Sequence, residues 1–274
     1  MTQQTKIVGG VHVEQRHDSA HKHVTGQADY IDDMVAPEGL LHAYLGLSTV
    51  AHGDIETMDL SAVQAAPGVI GVLTAGDIPG HNDVSPTGKQ DDPVFAQVVE
   101  FHGQPIFAVV AETRAAARSA AALAKVDYAT KPHFTDVADA RSANYPLVTE
   151  PLTLKRGNAA KALDAAPRRI RGDMRIGGQD HFYLEGHIAL AIPGEDDEVM
   201  VFSSTQHPSE VQHMVAHVLG VPSNAVTVNV RRMGGAFGGK ETQSNLFAAV
   251  AALAAKKYGR AVKIRPDRDD DMIA

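Results

Sequence analysis

The sequence predicts an α+β (α/β) chain built as two successive units. Strand-like and helix-like runs alternate in both halves rather than segregating. The 274 residues exceed what one domain usually needs. A stretch with two prolines, Tyr145 to Pro151, breaks the alternation near the middle. The expected division is an N-terminal arm at 1–16, a first domain at 17–140, a linker at 141–155 and a second domain at 156–274.

The arm is polar and unpatterned, and carries no expected chemistry. Leu40 to Ser48 has strand character, Asp59 to Ala66 reads as a short helix stopped by Pro67-Gly68, and Val69 to Leu73 reads as a strand. Residues 80–98, rich in glycine, proline and aspartate, predict a long surface loop. Pro105 to Ala111 is a continuous apolar run of buried-strand type, and Thr113 can cap an alanine-rich helix to Ala124 before a strand at Lys125 to Tyr128.

Past the linker, Gly157-Asn158 opens a short helix to Ala166, and an extended segment runs from Arg168 to Gly178. Leu184 to Ser203 holds two strands around the turn Pro193 to Asp197. Ser209 to Leu219 predicts a helix with Pro208 at its entrance, Ala225 to Arg232 a strand, and Glu241 to Tyr258 a long helix. Val262 to Arg265 reads as a strand and Asp267 to Asp271 most economically as a solvated acidic turn, with a subunit contact as the alternative. The second domain is expected to be incomplete at Ala274, as though another strand were beginning.

Composition removes several classes of function. The net charge is −8 and no basic block occurs, which argues against a nucleic-acid face. There is no cysteine, so these residues offer no disulfide, thiolate nucleophile or iron-sulfur ligand. The longest apolar run, Leu246 to Ala255, is far short of the ~20 residues of a membrane helix, and the N-terminus lacks a secretory core; a cytoplasmic location follows as the expectation. Neither a Gly-x-Ser-x-Gly elbow nor a His-Glu-x-x-His step is present.

Two motifs carry the chemistry. Gly177-Gly178-Gln179-Asp180-His181-Phe182-Tyr183-Leu184-Glu185 places one amide among bulky neighbours, after two glycines that permit close approach to the backbone. Glu185 is either an inward carboxylate or an exposed one. Arg231 to Glu241 contains Gly234-Gly235-Ala236-Phe237-Gly238-Gly239, two glycine pairs whose N–H groups could close around an anion before a helix. Gly234-x4-Gly239-Lys240 also has P-loop spacing, but Glu241 stands where a P-loop needs a hydroxyl for Mg²⁺. A purely structural glycine turn is the third reading. Glu210-x-x-His213 with His217 has metal-like spacing but no second copy, so packed or solvent-facing histidines are favoured.

These motifs resemble the molybdopterin-binding large subunit of the xanthine dehydrogenase and aldehyde oxidase family. Further segments agree in order: Asp18-Ser19-Ala20, Val24 to Asp33, Ala66 to Ile70, Asp77-Ile78-Pro79-Gly80, Gly103-Gln104-Pro105-Ile106 and Ser204-Thr205-Gln206-His207-Pro208. The resemblance spans about 15–274 and is nearest to bacterial xanthine dehydrogenases. It implies an α/β-hammerhead domain at 17–140 and the first part of a molybdopterin-binding domain at 156–274.

The resemblance also implies a molybdopterin with a sulfido molybdenum centre, to which this chain gives no metal ligand. Gln179 would donate to the molybdenum oxo group, and Gly234, Gly235, Ala236, Phe237, Gly238 and Gly239 would line the cofactor. Glu241 would bind the purine, so Gln179 and Glu241 are the residues expected to touch the reaction. The implied reaction takes hypoxanthine or xanthine to urate with water as the oxygen source; an aldehyde or another N-heterocycle is the alternative substrate. The catalytic base would lie beyond Ala274, so these residues alone are expected to be inactive. The implied partners are the rest of the large subunit and a chain carrying 2Fe-2S clusters and FAD. Ala236 departs from the family's glycine, and its methyl disfavours a positive φ, so the loop is expected to hold a negative φ there or to shift slightly.

Overall fold

The structure is a computed structural model and describes residues 10, 12, 14 and 16–274; most of the expected arm at 1–16 lies outside the described residues. Helix α1 (Ala20–Thr25) leads to strands β1 (Leu41–Leu47) and β2 (Gly53–Asp59), helix α2 (Ser61–Gln64) and strands β3 (Val69–Leu73), β4 (Val98–Val99) and β5 (Pro105–Ala111). Helix α3 (Arg114–Ala121), strand β6 (Lys125–Thr130) and helices α4 (Val137–Ser142) and α5 (Ala159–Ala165) follow. The last part comprises β7 (Ala189–Pro193), β8 (Val199–Ser203), α6 (Pro208–Leu219), β9 (Val226–Asn229), α7 (Ser244–Tyr258), β10 (Val262–Ile264) and α8 (Arg268–Asp271).

The mixed architecture is the one the alternating pattern predicts. Seven strands form a sheet in the order β3-β5-β1-β10-β7-β8-β9, and β4-β2-β6 form a smaller one. Strand β1 lies between β5, antiparallel, and β10, parallel, so strands from both halves of the sequence share one sheet. The run at 105–111 is apolar throughout because both its faces are covered. Ala108 and Val110 join a core with α6 and α7, whereas Ile106, Phe107, Val109 and Ala111 join one with α2 and α3. Buried alanines at 248, 249, 251, 252, 254 and 255 let α7 lie close to the sheet and to α6.

Several expectations need correction. The stretch 80–98 is a surface loop only in its exposed middle, 86–92: on either side Val84, Val94 and Phe95 are buried in the main core, and the Asn82 side chain both donates to and accepts from the backbone of Phe95. Its turn-forming residues concealed three apolar anchors. Strand β2, the middle strand of the smaller sheet, was not expected, because charges break its alternation on a half-exposed surface. The segment 168–178 forms no regular element. Helix α7 begins at Ser244 rather than Glu241, so the glycine loop ends in a turn before the helix.

Gly80 locks the 80–98 segment to α6. Its N–H donates to Val218 O (3.0 Å), and His81 N–H donates to His217 O (3.0 Å). A Cβ at Gly80 would fall on the carbonyl of His217 and on Gly220 N, both backbone atoms that cannot step aside. Gly80→Ala is therefore expected to lower stability by about 2 kcal/mol, within the range for overpacking. Chemical denaturation of the assembled protein measures it, and an unchanged midpoint would contradict this packing.

Candidate functional site

The two glycine-bearing motifs meet. His181, Tyr183 and Glu185, at alternate positions, lie against the loop 234–239. A Cβ on Gly239 would approach Tyr183 Cε1 at 2.7 Å and His181 Nδ1 at 2.9 Å, and one on Gly234 would approach Glu185 Cβ at 2.5 Å. Glycine is required at these two places for the segments to touch. Gly235 (φ 97°), Phe237 (φ 57°) and Gly238 (φ 102°) take left-handed backbone, whereas Ala236 does not, so the methyl that departs from the family pattern is accommodated.

Beneath the loop is a buried polar network. Lys240 is fully buried; its Nζ donates to Ser204 Oγ (2.8 Å), pairs with Glu185 Oε2 (3.3 Å) and sits 4.7 Å from the centre of the Tyr183 ring. Burial pulls the ammonium below its usual pKa, and Glu185 only partly restores it. Glu185 is thus the inward alternative: its Oε2 also accepts from Gly234 N–H (2.8 Å) and from Ser204 Oγ. The Nζ is turned into the protein, and this removes the P-loop reading.

The network continues to the last described helix. Arg268 donates to the carbonyls of Tyr183 (2.7 Å) and Leu184 (2.8 Å), while Asp271 Oδ1 accepts from His187 N–H (2.9 Å) and lies 2.7 Å from His187 Nδ1. Burial raises the Asp271 pKa, but the His187 hydrogen bonds and the charge of Arg268 outweigh it and hold the carboxyl below its ordinary value. The expected solvated acidic turn is therefore corrected: Asp271 is buried. Sequence reasoning passed over His187 and Arg268 and named Ser204 and Gln206 only within the matching segment 204–208, without a role, since single polar residues without regular spacing give no local signal.

The loop is partly exposed: Phe237 stands out from it, whereas Ala236 is buried. Among the described residues, the N–H groups of Gly235, Ala236 and Phe237 have no acceptor, whereas those of Gly234, Gly238, Gly239 and Lys240 are engaged. Phe237 is 77% exposed, and Phe182, also in left-handed backbone (φ 46°), is 66% exposed. Such backbone in non-glycine residues costs about 1–3 kcal/mol and gathers at ligand sites. Gln179 is exposed, and a Cβ on Gly177 or Gly178 would meet nothing within 4 Å. Glu241 is exposed and has no hydrogen-bond or ion-pair partner among the described residues. Two of the residues considered for metal have other partners: His217 stacks on His81 at 4.1 Å, and Glu210 pairs with His207 at 3.1 Å. Among the described residues, no group of three or more potential ligands is placed to hold a metal ion.

A mixed sheet joined to a partly exposed glycine loop over a buried ionic network defines a cofactor-binding module. Residues 25–132 match the aldehyde oxidase and xanthine dehydrogenase a/b hammerhead domain, and residues 140–274 match the molybdopterin cofactor-binding domain. The chain belongs to the xanthine dehydrogenase and aldehyde oxidase family of molybdenum hydroxylases. It is 40% identical over 259 residues to xanthine dehydrogenase of Dictyostelium discoideum and 42% identical over 263 residues to xanthine dehydrogenase/oxidase of Gallus gallus. Each alignment covers 94% of this chain and 19% of the relative, so the chain spans about a fifth of their length.

Solved structures agree. The aldehyde oxidoreductase of Desulfovibrio gigas superposes with a TM-score of 0.81 at 27% identity, over 93% of this chain and 30% of that one. Quinoline 2-oxidoreductase of Pseudomonas putida 86 superposes with a TM-score of 0.77 at 26% identity, over 93% and 34%.

Proposed function

We propose that this chain forms the cofactor-facing and purine-facing loops of a xanthine dehydrogenase that oxidises hypoxanthine or xanthine to urate, with water as the oxygen source. The observation that carries the reading is the pairing of opposites at adjacent residues: Lys240 is buried and neutralised by Glu185, while Glu241 projects without a partner beside the partly exposed glycine loop. An unpaired carboxylate there can accept the N–H donors of an oxopurine and has no complement on an apolar aldehyde. The identity of 40–42% to curated xanthine dehydrogenases supports the same substrate class.

The donor set fits molybdopterin. Three successive N–H groups, at Gly235, Ala236 and Phe237, need acceptors, and an anionic cofactor offers them. Gly234, Gly238 and Gly239 shape the loop rather than donating outward. Gln179, on an open segment after two glycines, is the amide available to donate at the molybdenum end. When bound, the cofactor, in the sulfido form, supplies a two-electron redox centre. The chain's own part is to hold it from one side and to orient the purine from the other.

Turnover belongs to the assembled subunit. Residues 17–140 and 156–274 act as its hammerhead and first cofactor-binding modules, connected through 141–155. Within the second module, ahead of the site, runs a segment in which Ile170, Met174 and Ile176 are almost wholly exposed and interspersed with Arg169, Arg171 and Arg175. That period of two matches a strand's alternation although the segment is paired with no sheet, and it supports docking against the rest of the large subunit. In this reading the 2Fe-2S clusters and FAD belong to a partner chain or domain, and the complex works in the cytoplasm.

The test is purification of the native complex through this chain, with its molybdenum content and its kcat/KM for xanthine, an aliphatic aldehyde and quinoline. About one molybdenum per copy and a clear preference for xanthine are expected. A preference for aldehyde or quinoline would replace the purine assignment, and a molybdenum-free complex would overturn the reading.

A further inference from the structure

The pair Lys240–Glu185 does more than balance charge in the core. Glu185 Oε2 ties the first residue of the loop through Gly234 N–H at 2.8 Å, and Lys240, the residue after Gly239, closes the other end on the same oxygen at 3.3 Å. Gln206 reinforces that end: its Oε1 accepts from Gly238 N–H (2.9 Å), and its own N–H donates to Lys240 O (2.8 Å). The three free N–H groups lie between these ties. Glu185 also ends the motif that begins at Gly177, and Tyr183 of that motif faces the Lys240 ammonium.

We infer that Lys240 and Glu185 are positioning residues: one buried ion pair that fixes the glycine loop and the Gln179-bearing segment as a single unit, so that the donors aimed at the cofactor keep their mutual spacing. Neither side chain touches cofactor or substrate in this scheme; both act through Gly234, Ser204 and Tyr183. The inference rests on the reading of the loop as cofactor-facing, but the coupling of the two segments can be measured independently of substrate.

The experiment is hydrogen exchange by mass spectrometry on the native complex, with Lys240→Met, Glu185→Gln and the double variant, following peptides over 177–188 and 231–243. Lys240→Met is expected to speed exchange in 177–188, and Glu185→Gln in 231–243, each by about tenfold or more, as the loss of a buried tie makes local opening easier. The double variant should exceed the larger single effect only slightly, because both changes break one pair. Molybdenum content should fall in parallel, and kcat should drop more than KM changes. If each substitution disturbs only its own peptide, or if the effects add, the inference is overturned. Should Lys240→Met fail to fold, Glu185→Gln gives the reciprocal readout with its volume conserved. Coupled exchange without purine turnover would keep the Lys240–Glu185 coupling and reject the substrate.

Discussion

Replacing Glu241 with alanine in the assembled enzyme is expected to lower kcat/KM for xanthine about 100- to 1,000-fold, the loss typical of removing one polar group that a reacting substrate uses. The carboxylate is exposed in the described chain and has no internal partner, so its removal leaves no buried donor unsatisfied. Folding should therefore be unchanged, and the whole effect should appear in the kinetics. The penalty should be much smaller for a substrate without ring N–H donors, and the ratio of xanthine to aldehyde activity should fall. Steady-state kinetics on both substrates, with the melting temperature as control, measure this. Equal losses on the two substrates would place Glu241 in general binding rather than in purine recognition.

The second large effect is on stability. Asp271→Ala is expected to cost about 3 kcal/mol or more, because two buried donors, the backbone N–H and Nδ1 of His187, lose their acceptor at about 1–3 kcal/mol each. His187 stacks on Phe247 at 4.7 Å, so the damage should spread into α7. Asp271 also sets a pH dependence. Its folded-state pKa is held below the unfolded value, so the stability it contributes is present above the ordinary carboxylate pKa of about 3.9. That stability is lost as pH falls through the lower folded-state value. In the variant, the part of acid destabilisation below about pH 4 due to this carboxylate should disappear. Urea midpoints across pH test both statements; an unchanged midpoint at pH 7 would contradict the first.

Much of the fold was legible because it depends on local pattern. The continuous apolar run at 105–111 and the alanine-rich 246–255 announce elements covered on more than one side, and both are buried in the sheet and in α7. What was not legible depends on partners distant in sequence. Nothing around Asp271 shows that His187, 84 residues earlier, will wrap its carboxylate, and an aspartate run by itself reads as solvated. Val84 and Phe95 could not be told from loop residues until α6 and α7 were placed against them. At the site, the two motifs stood out by their glycines, but the partner of Glu185 did not: Lys240 was visible only as the lysine of a rejected phosphate loop. The three free N–H groups follow from hydrogen bonds made at Gly234 and Gly238, which sequence spacing does not encode.

The parallel seam between β1 and β10 bears on how such a subunit can be divided. Leu41 pairs with Val262 and Ala43 with Ile264, so the seam joins residues more than two hundred positions apart. A protein severed within 141–155 would leave a raw strand edge on each fragment, β1 on one and β10 on the other, each with unpaired backbone donors and acceptors. Those edges are complementary in register and in their apolar faces. Two such fragments made in one cell would be halves of a split protein, drawn to re-form the severed sheet, whereas either made alone would carry the kind of edge on which aggregates grow.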